Sequence, residues 1–423
     1  MSPVKKYGYR MERYEFIRYL ALLTIVAILL LWVNLYISRT INLIISARTA
    51  KMEFNRFVTS TDRMILSIDE KRKLSAFAAN IDGKPVGGYK VIWANTDTIT
   101  ATIDSTGTVT GISPGATTVQ ARLINMNIKS YQPSREPHYS RGIKRLLSEQ
   151  NEMQQFMVSG GQLVKEIEII VVPEGMAMVP RGPFILGGKH FNAQPVTTIY
   201  LDDYFIDKYE VTNAQFAEFL NADHDQYFDP RMDIQRIDGR YQPRRGKEDF
   251  PVVYVTWHGA HDYAAFREKR LPTEAEWEKA ARGDKDDRKY PGGDTITYRA
   301  ANFRNSNDPF EMGPTPVGYF NGINTLADGT ATIHSVSQYG VYDMAGNVLE
   351  WVADWYDKDY YKIIPKRNPT GPDTSVERSI RGGGWFDIPD RLTVSYRTSG
   401  KPDLRNDMVG FRCAKSYTTE SRD

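Results

Sequence analysis

Thiols and imidazoles, the side chains best suited to redox chemistry and transition-metal binding, are scarce in this chain. There is one cysteine, Cys413, and there are six histidines: His138, His190, His224, His258, His261 and His334. A lone thiol excludes an intramolecular disulfide and a cysteine zinc site together. His258 and His261 lie three apart and can share a helix face, but no carboxylate falls at the metalloprotease spacing. That pair reads as part of a surface or core-edge helix. Asp387, Asp390 and Asp403 are candidates for acid–base work as a carboxylate cluster. In their glycine-rich, polar setting they read more simply as solvated loop residues. The glycines after Arg381 are not a phosphate loop, because the strand–loop–helix setting with a basic partner is missing.

What remains is concentrated in residues 381–414. The stretch opens with Gly382, Gly383, Gly384 and Trp385 and closes with Gly410, Phe411, Arg412 and Cys413. Glycines in such a run let the backbone approach a neighbour closely or take positive φ. The segment therefore has the texture of a site-building loop and strand near the end of a large domain. The elements that must position it lie between about residues 173 and 416, a region of long irregular stretches rich in Gly, Trp and Tyr. A helix is expected from Thr212 or Asn213 as cap through Asn221, with Phe216, Phe219 and Leu220 facing inward. A second is expected over 259–269. A third follows Leu271, with Thr273 as N-cap and Glu276 closing a capping box.

Three runs in this region, 271–282, 340–355 and 381–414, resemble the formylglycine-generating enzyme (sulfatase-modifying factor) family in content, order and spacing. The resemblance implies an irregular α+β fold, a variant of the C-type lectin. It also implies an oxidase that uses a pair of thiolates to hold copper, since soft thiolates suit Cu(I). At the two positions where that pair belongs stand Asp387 and Leu392, one a hard oxygen donor and the other no ligand at all. Cys413 matches a cysteine outside the pair. No copper is expected, and no catalytic residue is assigned. The family also binds structural calcium, an ion suited to oxygen ligands. Asn347 and Glu350 match one calcium run and Asn302 the start of another; the residues alone fit equally a turn cap at Asn347 and an arginine partner for Glu350. Trp385, Phe386, Asp387 and Arg397 are the expected binding surface.

Residues 64–172 read differently, as short strands punctuated by turn residues. Trp93 supplies a core aromatic, and Ala101 to Gly111 alternate as a hairpin about Asp104 and Gly107. This stretch resembles the bacterial Ig-like group 2 domain, whose members are spacers or adhesive modules. A polar insert over 128–162 interrupts it, readable as a solvated loop or a partner-docking arm.

Residues 19–38 carry no charge, and about 20 apolar residues span roughly 30 Å, the thickness of a bilayer core. The segment is expected as a transmembrane helix. Lys5, Lys6, Arg10, Arg13 and Arg18 are the denser positive flank and place the N-terminus (1–18) in the cytoplasm. The fold class expected is thus multidomain: a transmembrane α-helix, a stalk over 39–63, an all-β Ig-like sandwich over 64–172, an α+β lectin-like domain over 173–418, and a tail over 419–423. The expected location is the inner membrane, with the bulk of the chain periplasmic. A net charge of +2 argues against nucleic acid as a general partner. The expected function is a non-catalytic docking subunit whose partners are integral membrane proteins of a larger complex. The module combination resembles an accessory subunit of a bacterial photosynthetic reaction-centre–antenna assembly. A remodelled oxidase and a glycan- or protein-binding receptor are the alternatives.

Overall fold

A computed structural model describes residues 56–80, 82–125, 162–284, 288–310 and 312–417. The first module is a β-sandwich of nine strands: β1 (Arg56–Thr59), β2 (Arg63–Leu66), β3 (Lys71–Lys73), β4 (Ala76–Ala79), β5 (Tyr89–Asn95), β6 (Ala101–Ile103), β7 (Thr108–Gly111), β8 (Gly115–Asn125) and β9 (Gln162–Val171). Its main sheet runs β2-β9-β8-β5, with β2 and β9 parallel. β6 and β7 form the expected hairpin, Ala101 opposite Gly111. Ala101, Val109, Val119, Ala121, Ile167 and Ile169 fill the space between the sheets. The sandwich begins inside the stretch read as stalk: β1 pairs with β4, and Phe57 is 1% exposed in the core. Of the insert expected over 128–162, residues 128–161 lie outside the described residues, and Gln162 already opens β9.

The second module follows at once. Its strands are β10 (Met176–Val179), β11 (Gly182–Leu186), β12 (Thr197–Leu201), β13 (Tyr204–Asp207), β14 (Ile234–Ile237), β15 (Arg240–Pro243), β16 (Leu349–Trp355), β17 (Arg378–Arg381), β18 (Arg397–Gly400), β19 (Val409–Phe411) and β20 (Ala414–Ser416). Three short helices join them: α1 (Asn213–Leu220), α2 (Trp257–Phe266) and α3 (Glu274–Arg282). Capping boxes start α1 at Thr212 and α3 at Thr273. α2 begins two residues earlier than expected, because the Thr256 side chain accepts from the Gly259 N–H and caps it there. The sheet β10-β13-β20 ties the beginning of the domain to its end.

The sheet β18-β17-β16-β19 organises the domain. Strand side chains alternate between faces, and β16 uses both. Trp351 goes to the core built on α1 and α2, with Phe216, Tyr263 and Phe411. Val352 goes to the core built on α3, with Trp277, Ala280 and Ala281. Glu350 shares the α3 side, where its carboxylate takes the Trp277 indole N–H at 2.8 Å.

One expectation does not stand. Among the described residues no helix is long and apolar enough to cross a membrane. α2, with 10 residues, reaches about 15 Å at 1.5 Å per residue, half the ~30 Å of a bilayer core. The transmembrane helix expected at 19–38 lies outside the described residues, so neither it nor the single-pass, periplasm-facing location built on it is supported. The described chain is mostly β, with helices confined to the second module.

Candidate functional site

At one end of the four-stranded sheet, on the face that carries the α1–α2 core, a cleft of about 260 Å³ opens. Register explains its floor. Ile380 of β17 lies opposite Thr398 of β18, and Leu349 of β16 beside Val409 of β19; all four line the cleft. Leu404 and Met408 close one side, and Phe386, Asp387, Arg391 and Arg304 another. The neighbours of these floor residues in sequence, Glu350, Arg381 and Arg397, point the other way.

The glycine run shapes the wall. Gly383 sits at φ +70°, where a Cβ would stand 2.7 Å from the Arg391 carbonyl oxygen. Only glycine permits both the dihedral and the approach. This tight passage lets residues 384–387 fold over the cleft. Gly384 donates its N–H to an Asp387 carboxylate oxygen at 2.9 Å, and Arg391 donates to the other at 3.1 Å. Asp387 is thereby buried and paired on both oxygens. Trp385 is half-buried, its indole N–H on the Asp407 carbonyl, and Phe386 is 45% exposed.

Leu392 is fully buried, away from solvent, among Tyr290, Ala301, Phe303 and Ala345. It occupies the notch left by Gly346 and Gly383, where added Cβ atoms would stand 3.3 and 3.2 Å from its methyl groups. Cys413 lies in the α1–α2 core. Burial, then the nearby Asp207 carboxylate, pushes its thiol well above the usual range, away from the reactive thiolate. Copper does not fit: the two positions hold a paired carboxylate and a core aliphatic group, and the thiol is elsewhere.

The calcium residues are placed in two networks. Asn347 donates to Glu210 at 2.7 Å, and its amide oxygen accepts from Thr315 N–H at 2.9 Å and from Asn302 at 3.3 Å. The Asn302 amide oxygen accepts from Ser306. Glu350 receives Arg412 through two bonds of 2.7 Å, besides Trp277. Each side-chain oxygen of the three accepts a hydrogen bond in this structure.

Arg397 is not on the surface. Its side chain is fully buried beneath the cleft, bound to Glu274 at 2.5 and 2.8 Å and lying over the Tyr361 ring at 4.2 Å. Arg381 joins Glu274 at 3.1 Å and Glu278 at 2.6 Å, and Glu278 also takes Arg282. This buried ionic layer fixes α3 to the underside of the sheet. Burial alone would raise the Glu274 carboxyl; Arg397 and Arg381 overcome it and hold the group low. His258 and His261 are exposed on α2, with Asp403 3.9 Å from His258 and Asp262 2.9 Å from His261. Asp390 is paired with Lys189; Asp387, Asp390 and Asp403 do not converge. Arg304 and the floor residues had escaped the sequence reading. The one local sign was Ile380 between the partners Ser379 and Arg381, an apolar residue facing opposite to its charged neighbour.

Comparison with known proteins follows the same division. Residues 165–417 match the sulfatase-modifying factor enzyme 1-like domain, and residues 58–123 the bacterial Ig-like domain, group 2. The chain is 33% identical over 310 residues to the serine/threonine-protein kinase pkn1 of Chlamydia caviae, across 70% of this chain and 46% of that protein. It spans less than half the length of the kinase-named relatives it matches. It is 33% identical over 290 residues to the formylglycine-generating enzyme of Thermomonospora curvata, across 57% of this chain and 94% of that one. A mouse protein named inactive C-alpha-formylglycine-generating enzyme 2 is 36% identical over 184 residues, 42% of this chain and 53% of its own.

Proposed function

The chain belongs to the sulfatase-modifying factor family, and from that premise we propose that its C-terminal domain is a binding module and not a copper oxidase. The observation that carries this reading is Leu392. At one of the two positions where the resemblance requires a thiolate, the chain has a fully buried aliphatic plug. Its partner position, Asp387, is a hard donor already paired with Arg391 and Gly384, poorly matched to Cu(I). The family contains both proteins named as formylglycine-generating enzymes and one named as inactive, which supports persistence of the fold without the oxidation.

The ligand we assign to the cleft is an extended segment of a partner protein. The cleft, at about 260 Å³, is just below the usual span of small-molecule pockets and accepts one or two side chains. β18 forms its lip as the edge strand of the sheet, where an extended chain can lie alongside. On this reading the protein is a docking subunit of a larger assembly. Integral membrane proteins, such as those of a photosynthetic reaction-centre–antenna complex, are the partner class to test first.

Two measurements test the proposal. The purified chain is expected to take up no stoichiometric Cu(I) and to leave a cysteine peptide unmodified in oxygen; conversion of the peptide would return the oxidase. A peptide display selection on the full chain, counter-selected on Thr398→Trp to fill the cleft, is expected to yield binders that only the native cleft holds. A selection that yields no cleft-dependent binder removes the docking role.

A further inference from the structure

We propose that the segment received by this cleft presents an acidic side chain, held by Arg304 and Arg391 at the mouth of the cleft. The inference rests on the docking reading and adds the chemistry of the docked residue. Arg304 is exposed at the mouth and held in place from three sides. Its backbone N–H donates to the Asp387 carbonyl at 3.0 Å, its Nε to the Phe386 carbonyl at 3.1 Å, and its guanidinium lies 4.5 Å from the centroid of the Phe386 ring. These contacts use the inner edge of the guanidinium, and no ion pair with a described residue takes the outer one. Arg391 is similarly half-used: its side chain is 57% exposed, with one Nη1 bond to Asp387.

Among the described residues, Asp387 is the only carboxylate lining the cleft, and both its oxygens are engaged by Gly384 and Arg391. The lining is left with one net positive charge. Two guanidiniums with free edges suit a carboxylate, which accepts planar, charge-assisted pairs of hydrogen bonds. Because Arg304 is already ordered by Phe386, little side-chain freedom is lost when it binds. Below the arginines the lining is mixed, with Leu349, Leu404 and Met408 beside Thr398, Ser399 and Asn406, so a neighbouring aliphatic or aromatic side chain has apolar groups to meet on one side. A basic segment would meet repulsion at the mouth.

The test uses the full chain and three short peptides, followed by ligand-observed NMR. The first is an end-blocked tripeptide of phenylalanine, glutamate and leucine. The second replaces glutamate by glutamine, and the third is the glutamine peptide with a free C-terminal carboxylate. The glutamate peptide is expected to bind about tenfold more tightly than either of the others, equivalent to about 1.4 kcal/mol, and to weaken as salt is raised. The double variant Arg304→Gln with Arg391→Gln, both at exposed positions and checked for an unchanged melting point, is expected to abolish that preference. Equal binding of glutamate and glutamine peptides, or a preference that survives in the double variant, overturns the inference. So does tighter binding of the free C-terminus. Binding by none of the three overturns it as well, and leaves the docking role to the display selection.

Discussion

Glu274 accepts from two arginines and a serine in a site closed to water. A buried charge left without its partner is costly, whereas the intact pair is close to neutral in net stability. Glu274→Gln is therefore expected to cost about 3–5 kcal/mol, the penalty of two buried guanidiniums losing their shared counter-charge. Urea unfolding measures it, and a loss below about 1 kcal/mol would mean that water reaches the layer. Asp343 makes the opposite case. It is buried beside Glu350, with the Gly318 N–H donating to it at 2.6 Å, and burial pushes its carboxyl up to about 6 from 3.8. The folded state then holds a proton that the unfolded chain releases between those values. Its contribution to stability is complete below about pH 4 and is lost as pH rises through about 6. A shift of this size is worth about 3 kcal/mol. Asp343→Asn is expected to gain on the native protein by up to that amount between pH 4 and pH 8, read from unfolding free energies across the range. A flat difference would place the Asp343 titration in the ordinary carboxylate range.

Among the elements, α3 is the one that local sequence specifies most completely. Its Thr273 side chain accepts from the Glu276 N–H, and Glu276 returns the bond to Thr273 N–H. Thr273→Ala is expected to cost about 1 kcal/mol, with faster hydrogen exchange at the amides of 274–276 and little change in the cleft. Loss of peptide binding along with stability would instead show that the cap positions the cleft. Caps of this kind are written within four residues, which is why α1 and α3 were legible in the sequence together with the β6–β7 hairpin. Long-range pairing was not. β16 pairs in parallel with β19, some 60 residues on in the chain, and no periodicity announces a parallel partner. Arg397, expected on the binding surface, is buried because arginine buries when paired, and its partner Glu274 stands 123 positions away, beyond any local pattern. The identity of residues 387 and 392 was plain from the sequence. That one became a capped carboxylate and the other a core plug depends on Gly346 and Gly383 meeting across the fold.

At the scale of the molecule, the two modules share a small core. Ile170 of β9 packs with Met176, Met178 and Phe205, and with Ile65 and Tyr417 at its edge. Arg63 bridges it, reaching Asp203 at 2.5 Å and Glu168 at 3.0 Å, while Tyr417 donates to Glu168 at 2.6 Å. Arg63→Ala is expected to divide a single melting transition into two and to enlarge the radius of gyration in solution scattering; one unaltered transition would show that the apolar contacts suffice. The topology beside this junction has a mechanical consequence. β2 and β9 run parallel, Arg63 opposite Glu168 and Leu66 opposite Val171, and β9 leads directly into the second module. A pull between Ser60 and Val172 drags the two strands along each other in opposite senses. Every bond between them, including Glu168 N–H to the Asp62 carbonyl and Val172 N–H to the Leu66 carbonyl, is loaded at once and not peeled in turn. Along this line the sandwich resists tension in shear, and the strand that bears it leads straight into the second module.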